Sequence, residues 1–270
     1  MVKIIEPFKE KKKLVEWLDE KTKKCGIVFF HGLGDVVQFI GLFNRLKELY
    51  PKIHFDIMLQ KHLGQEAIWP DAVLLDDLNK IKKMDEYDYI FLVHFPVEQD
   101  PALTKSGLCC VTELGIPPMT KYEKLPDFPS KLIGVHFHNT ALPGVFNPSE
   151  KVAGKIWNEV VDAGFVPIEL AFKHPYHNPV NKKFGFVDCT VRGARATVPS
   201  LLGLVRACRG IICVPSGPLH CALSVMPDRV LYLEKSVPIE RFTHLKISKV
   251  SIEDNKFEEG AVKRWVSKLG

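Results

Sequence analysis

Twice in this chain a short apolar run breaks into a glycine turn and then into a helical pattern, and few folds accommodate that. In the second half Ile211 to Cys213 read as a buried strand, Pro215-Ser216-Gly217-Pro218 ends it, and Leu219 to Val225 follow as a helix that carries His220. In the first half Gly26 to Phe30 is the strand and His31-Gly32-Leu33-Gly34-Asp35 the turn. Val36 to Tyr50 then forms a helix on Val37, Ile40, Leu42, Phe43, Leu46 and Leu49, stopped by Pro51. A strand that hands a glycine turn to a helix N-terminus is the building unit of a parallel sheet covered by helices. Further strands are expected over Ile53 to Leu59, Ala72 to Leu75, Tyr89 to Val93, Leu132 to Phe137, Phe165 to Leu170, Gly185 to Val187 and Val230 to Leu233. Helices are expected over Glu150 to Ala163, Ser200 to Cys208 and Phe257 to Leu269, the first two closed by Gly164 and Gly210. The class is therefore α/β, with two Rossmann-like domains whose parallel sheets face each other across a cleft. The segment from Thr120 to Lys131, with Pro126 and Pro129, reads as the linker. That places an N-terminal domain at 1–125, a C-terminal domain at 126–255 and a closing helix at 256–270.

The two turns are also where chemistry is expected. Unpaired N–H groups at a helix N-terminus, the helix dipole and a glycine that allows close approach make an anion site. Ser216 and His220 would add side-chain donors to the Gly217 turn. Asp35 stands at the other strand-to-helix mouth, on the side of the sheet where α/β proteins bind ligands, with Gly32 and Gly34 shaping the loop. A carboxylate there suits either a general base or a helix cap. Glu169 could meet a ribose or simply be an exposed strand-end glutamate, the plainer of the two readings.

Composition removes several classes. Across 270 residues, 46% are hydrophobic and 26% charged, as in ordinary globular proteins. No apolar run approaches the ~20 residues that span a bilayer. The first ten residues lack the apolar core of a signal peptide, so a cytoplasmic protein, or one peripheral at the inner membrane face, is expected. The 7 cysteines include no Cys-x-x-Cys pair and read as reduced, mostly buried thiols. A net charge of +5 suits a phosphorylated ligand without demanding nucleic acid. The lysine-rich stretch from Phe8 to Lys24 reads as one amphipathic helix around Leu14, Val15 and Leu18. His136-x-His138 and His174-x-x-His177 lack a third ligand at supporting spacing, so no metal is expected.

Gly34-Asp35-Val36, with its helix ending at Tyr50-Pro51, resembles the opening of the lipopolysaccharide heptosyltransferases, the ADP-heptose transferases. In the second half, Asp188-Cys-Thr190 followed by the run from Pro199 to His220 resembles that family's helix, strand and Asp-Ser-Gly-x-x-His signature in order and spacing, and Val230 to Leu233 falls at its next strand. The match covers roughly a third of the chain. Pro215 replaces the family's usual aspartate, and the N-terminal half is short for the family. The resemblance implies a GT-B glycosyltransferase with the acceptor in the N-terminal domain and a nucleotide-diphosphate sugar in the C-terminal one. It further implies inverting, metal-independent transfer, no cofactor, Asp35 as base, and Ser216, Gly217, His220, Asn139 and Thr140 around the donor phosphates. The acceptor would be a saccharide or a lipid-linked alcohol. Two alternatives remain at this stage. One is a phage-type enzyme that glycosylates modified DNA bases, which the N-terminal lysines and Lys80 to Lys83 suggest. The other is a GT-B relic that binds nucleotide sugars without turnover. An α/β-hydrolase is disfavoured, because no serine has glycine two residues before and two after it.

Overall fold

β-Branched and aromatic runs bounded by Gly, Pro and Asp form the strands of this protein, and the amphipathic segments between them form helices that cover the sheets. The computed structural model describes residues 2–10, 14–29, 33–60, 71–93, 131–139, 143–171, 186–188, 198–241 and 245–270. These residues fall into two compact units, divided between Val93 and Lys131. His31, Gly32, Thr140, His174, His177 and the expected linker up to residue 130 lie outside the described residues.

The first unit holds β1 (Lys3–Ile5), β2 (Lys24–Phe29), β3 (His54–Gln60), β4 (Val73–Leu75) and β5 (Tyr89–Val93). They form one sheet in the order β1-β5-β2-β3-β4, and every pairing is parallel. Helix α1 (Pro7–Glu10) is a single turn, whereas α2 (Leu33–Leu49) is the long helix after β2. Phe39, Phe43 and Leu46 of α2 pack with Ile27, Phe29, Ile57 and Phe91 in one core layer. Val28, Met58 and Ile90 point to the opposite face and pack with Val2, Leu75, Ile81 and Tyr87.

The helix expected from Phe8 to Lys24 is not formed. Among the described residues of that stretch, α1 and a 3-10 turn at Leu14–Trp17 are the helical elements, and residues 18–23 are non-helical before β2 begins at Lys24. The Asp19 carboxylate accepts the N–H groups of Lys21 (2.9 Å) and Thr22 (3.0 Å), a local turn that competes with helical hydrogen bonding.

The second unit holds β6 (Leu132–His136), β7 (Val166–Ala171), β8 (Phe186–Asp188), β9 (Gly210–Cys213), β10 (Val230–Glu234) and β11 (Ser248–Ser251), all paired in parallel in the order β11-β10-β9-β6-β7-β8. Its helices are α3 (Pro143–Phe146), α4 (Glu150–Asp162), α5 (Val198–Ala207), α6 (Gly217–Val225) and α7 (Ala261–Ser267). Helices α4 and α7 cover one face, where Val152, Ile156, Val160, Val262, Trp265 and Val266 pack on Ile133, Val135, Ile212 and Leu231. Cys25, Cys208, Cys213 and Cys221 are buried free thiols, and burial pushes Cys25, Cys208 and Cys221 up to about 12.

Helix α7 is held by an unusual cap. Gly260, at φ +75°, precedes it, and the Glu159 carboxylate on α4 accepts the N–H groups of Gly260 (2.7 Å), Val262 (3.0 Å) and Lys263 (3.1 Å). Alanine is the best helix former, so Glu159→Ala leaves α4 intact while freeing those donors. We predict a loss of about 2 kcal/mol in urea unfolding. An unchanged midpoint would mean that water replaces the carboxylate at no cost.

Candidate functional site

In the second sheet the chain runs outward from β6 to β7 and β8, then returns to lay β9 on the other side of β6. Connections that leave neighbouring strands in opposite directions open a crevice beyond their carboxyl ends, where open α/β sheets bind ligands. The loops after β6 and β9 are the two that leave at this point, and they carry Asn139 and Ser216-Gly217. In the first sheet the same reversal lies between β2 and β5. The connection after β2 enters α2 at Leu33, which makes Gly34 and Asp35 the second and third residues of the helix. Asp35 is thus inside the first turn rather than on a loop before it.

The two loops of the second unit are tied together. Asn139 donates its side-chain N–H to the Pro215 carbonyl at 2.5 Å, and its main-chain N–H to Asn147 Oδ1 at 2.6 Å. Asn147 follows α3, and that turn is fastened in turn by Lys235, whose Nζ donates to the carbonyls of Gly144 (3.1 Å) and Asn147 (2.9 Å). Ser236 Oγ donates to the Val145 carbonyl at 3.1 Å. Sequence reasoning reached Asn139 but not Asn147, Lys235 or Ser236, whose partners lie far along the chain.

Ser216 is the N-cap of α6. Its hydroxyl donates to the Val214 carbonyl (3.0 Å) and accepts from Leu219 N–H (3.4 Å). The hydroxyl proton is therefore committed to Val214, and a phosphate could take it only if that bond opened. Pro218 has no N–H, and the His220 N–H bonds the Ser216 carbonyl at 3.3 Å. The Gly217 amide is the first-turn donor outside this cap. The helix end offers an anion fewer N–H groups than the sequence suggested.

His220 is 5% exposed. Burial alone lowers its pKa to about 3, so the ring is neutral at physiological pH and any bond it gives a ligand comes from a neutral imidazole. His136, 1% exposed, has Nδ1 at 2.7 Å from the Leu170 carbonyl, which places the proton of a neutral ring on Nδ1. Glu169 on β7 is fully buried, which overturns the expectation of an exposed strand-end glutamate. Along β7, Val166 is exposed and Ile168 half-buried while Pro167 and Glu169 are buried, so Glu169 stands on the inward-facing side of the strand's alternation. Among the described residues no group of three or more His, Cys, Asp or Glu stands together to hold a metal ion, and no helix is long and apolar enough to cross a membrane.

No family model matches the chain, and no curated protein matches it by sequence. Solved structures do match. The glycosyl transferase family 9 protein from Veillonella parvula DSM 2008 aligns with TM-score 0.60 at 11% identity, over 93% of this chain and 97% of that one. The E. coli ADP-heptose lps heptosyltransferase II aligns with TM-score 0.59 at 13% identity, over 91% and 97%. TibC from enterotoxigenic E. coli H10407, described as an iron-containing dodecameric glycosyltransferase, aligns with TM-score 0.59 at 12% identity. This chain covers 85% of itself in that alignment and spans 62% of TibC. The α/β fold with two parallel sheets is thus the GT-B fold of the heptosyltransferases, as the resemblance implied.

Proposed function

We propose that this chain is a glycosyltransferase that moves a sugar from a nucleotide-diphosphate sugar to an alcohol acceptor. One observation carries the reading: each sheet reverses its strand order at the loop where the sequence put its chemistry, Asp35 in the first unit and the Asn139 and Ser216-Gly217 loops in the second. The fold adds weight, since similar structures are described as heptosyltransferases, one of them WaaC with ADP.

In this reading the donor diphosphate lies at the α6 N-terminus, reached by the Gly217 amide and the neutral His220 ring, and Thr140, next in sequence to Asn139, is a further candidate donor. Asn139 acts by holding the Pro215 turn. Asp35 takes the proton of the acceptor hydroxyl as its oxygen attacks the anomeric carbon. The bond to the diphosphate breaks in the same step, giving inversion, and the electron pair leaves with the diphosphate. No metal is needed where protein donors stabilise that charge.

The test is a thermal-shift panel of nucleoside diphosphates and nucleotide sugars, followed by assay of free nucleoside diphosphate with saccharide and lipid-linked acceptors. A ligand at 100 times its Kd stabilises the folded chain by about 2.7 kcal/mol. We expect a shift with one nucleotide series and release of its diphosphate. Stabilisation without release under any acceptor would leave a binding protein, and no shift at all would remove the donor site.

A further inference from the structure

The donor reading leaves a charge unanswered. A nucleoside diphosphate carries two or more negative charges, whereas a helix N-terminus supplies the equivalent of roughly half a positive charge. His220 is neutral, and Ser216 and the Leu219 amide are engaged with each other. A cation must come from elsewhere in the loops at this edge of the sheet.

Strand register points to it. His136 of β6 and Tyr232 of β10 are both Cα partners of Cys213 in β9. Three residues on from that row, Asn139, Ser216 and Lys235 leave the sheet side by side. In the five residues that follow the carboxyl end of each of β6, β9 and β10, Lys235 is the only lysine or arginine in the sequence. Its side chain does not run out to solvent. Lys235 starts from β10, yet Nζ bonds the carbonyls of Gly144 and Asn147 in the connection after β6. Strand β9 lies between those two strands. Neighbouring strands are about 4.8 Å apart, so the side chain bridges about 10 Å across the exit of β9, where α6 begins. Both contacts are to neutral carbonyl oxygens, and among the described residues no carboxylate is ion-paired with Lys235. The neighbouring Glu234 instead pairs with Lys249 at 3.1 Å. An ammonium group has three N–H donors, and two are accounted for.

We propose that Lys235 is the diphosphate-binding cation of this site, giving its third N–H and its charge to the donor phosphates while the other two hold the turn after α3. The inference rests on the donor reading above. Two consequences are specific to it. Loss of the charge weakens ligands in proportion to their phosphate charge, and the loss grows smaller as salt rises.

Calorimetric titration of the full chain with ADP, UDP and GDP first establishes which diphosphate binds. The chosen diphosphate, its monophosphate and its nucleoside are then titrated into wild type, Lys235→Met, Lys235→Gln and Lys235→Arg, with the unfolding midpoint of each measured alongside. Lys235→Met and Lys235→Gln are expected to lose about tenfold or more in diphosphate affinity, as for a hydrogen bond to a charged group. The monophosphate should lose less, the nucleoside nothing, and Lys235→Arg should recover most of the loss. Lys235→Gln keeps a donor for one carbonyl, so it serves if the methionine variant does not fold. Equal diphosphate affinity in wild type and both neutral variants overturns the inference and leaves the donor site standing. An equal loss for nucleoside and diphosphate also overturns it, because Lys235 would then only shape the loop. A wild type that binds none of the three diphosphates takes the donor reading down, and this inference with it.

Discussion

Replacing Asp35 by asparagine is expected to lower sugar transfer by about 10²- to 10⁴-fold while donor affinity stays at the wild-type level. Asparagine keeps the size and polarity of the side chain but cannot take a proton, so the change addresses the base alone. The position motivates it. Asp35 is the third residue of α2, and α2 follows β2 at the point where the first sheet reverses its order. The competing role is structural: a carboxylate in the first turn of a helix interacts favourably with the dipole, by about 0.3–1 kcal/mol. The two roles separate cleanly. A base shows its loss in turnover at saturating donor, whereas a dipole partner shows it in the unfolding midpoint with turnover intact. A variant that releases nucleoside diphosphate from donor and acceptor at the wild-type rate would reject Asp35 as base, whatever its stability.

The parts of the fold that could be read from sequence are those with dense local signals. Tyr89–Val93 forms the expected strand to the residue, because an apolar aromatic and β-branched run between charged segments has no competing structure. Helix α4 begins where Ser149 caps it and ends before Gly164, whose φ of +79° is the left-handed conformation glycine favours. The edge strands β1 and β11 gave no such signal. Ser248–Ser251 buries only Val250, so neither a run nor an alternation stands out, and pairing with β10 defines the strand. Helix α6 starts two residues before its expected first residue because Ser216 caps it and proline is well tolerated at a first helical turn. At the site, the Pro-Ser-Gly turn was legible because it is local. The Lys235 bridge was not, since its bonds reach Gly144 and Asn147 some 90 residues back and depend on which strand lies beside which. Register, not spacing along the chain, is the information a single sequence withholds.

His220 is expected to make the protein sensitive to mild acid. Burial lowers its folded pKa to about 3, against 6.5 for the free side chain. Below pH 6.5 the unfolded chain therefore binds a proton that the folded chain refuses. Stability is complete above that pH and falls as pH drops toward 3, by up to about 1.4 kcal/mol per unit. At pH 5 the expected deficit is about 2 kcal/mol. Among the carboxylates held below their usual range, Asp56 and Asp88 lose their contribution only as pH falls below about 4, and comparison with a non-titrating residue at 220 cancels what the other groups add at each pH. Glutamine at 220 keeps a polar group of similar reach and does not titrate. Urea unfolding of wild type and His220→Gln at pH 7, 6 and 5 then isolates the effect as a difference. The wild-type curve should fall away from the variant's by about 1.4 kcal/mol per unit once pH passes below 6.5. Parallel curves across that range would mean that the ring takes up its proton in the folded state. The imidazole would then be open to water and charged in mild acid, and His220 could meet a diphosphate as a cation, which would weaken the charge argument for Lys235.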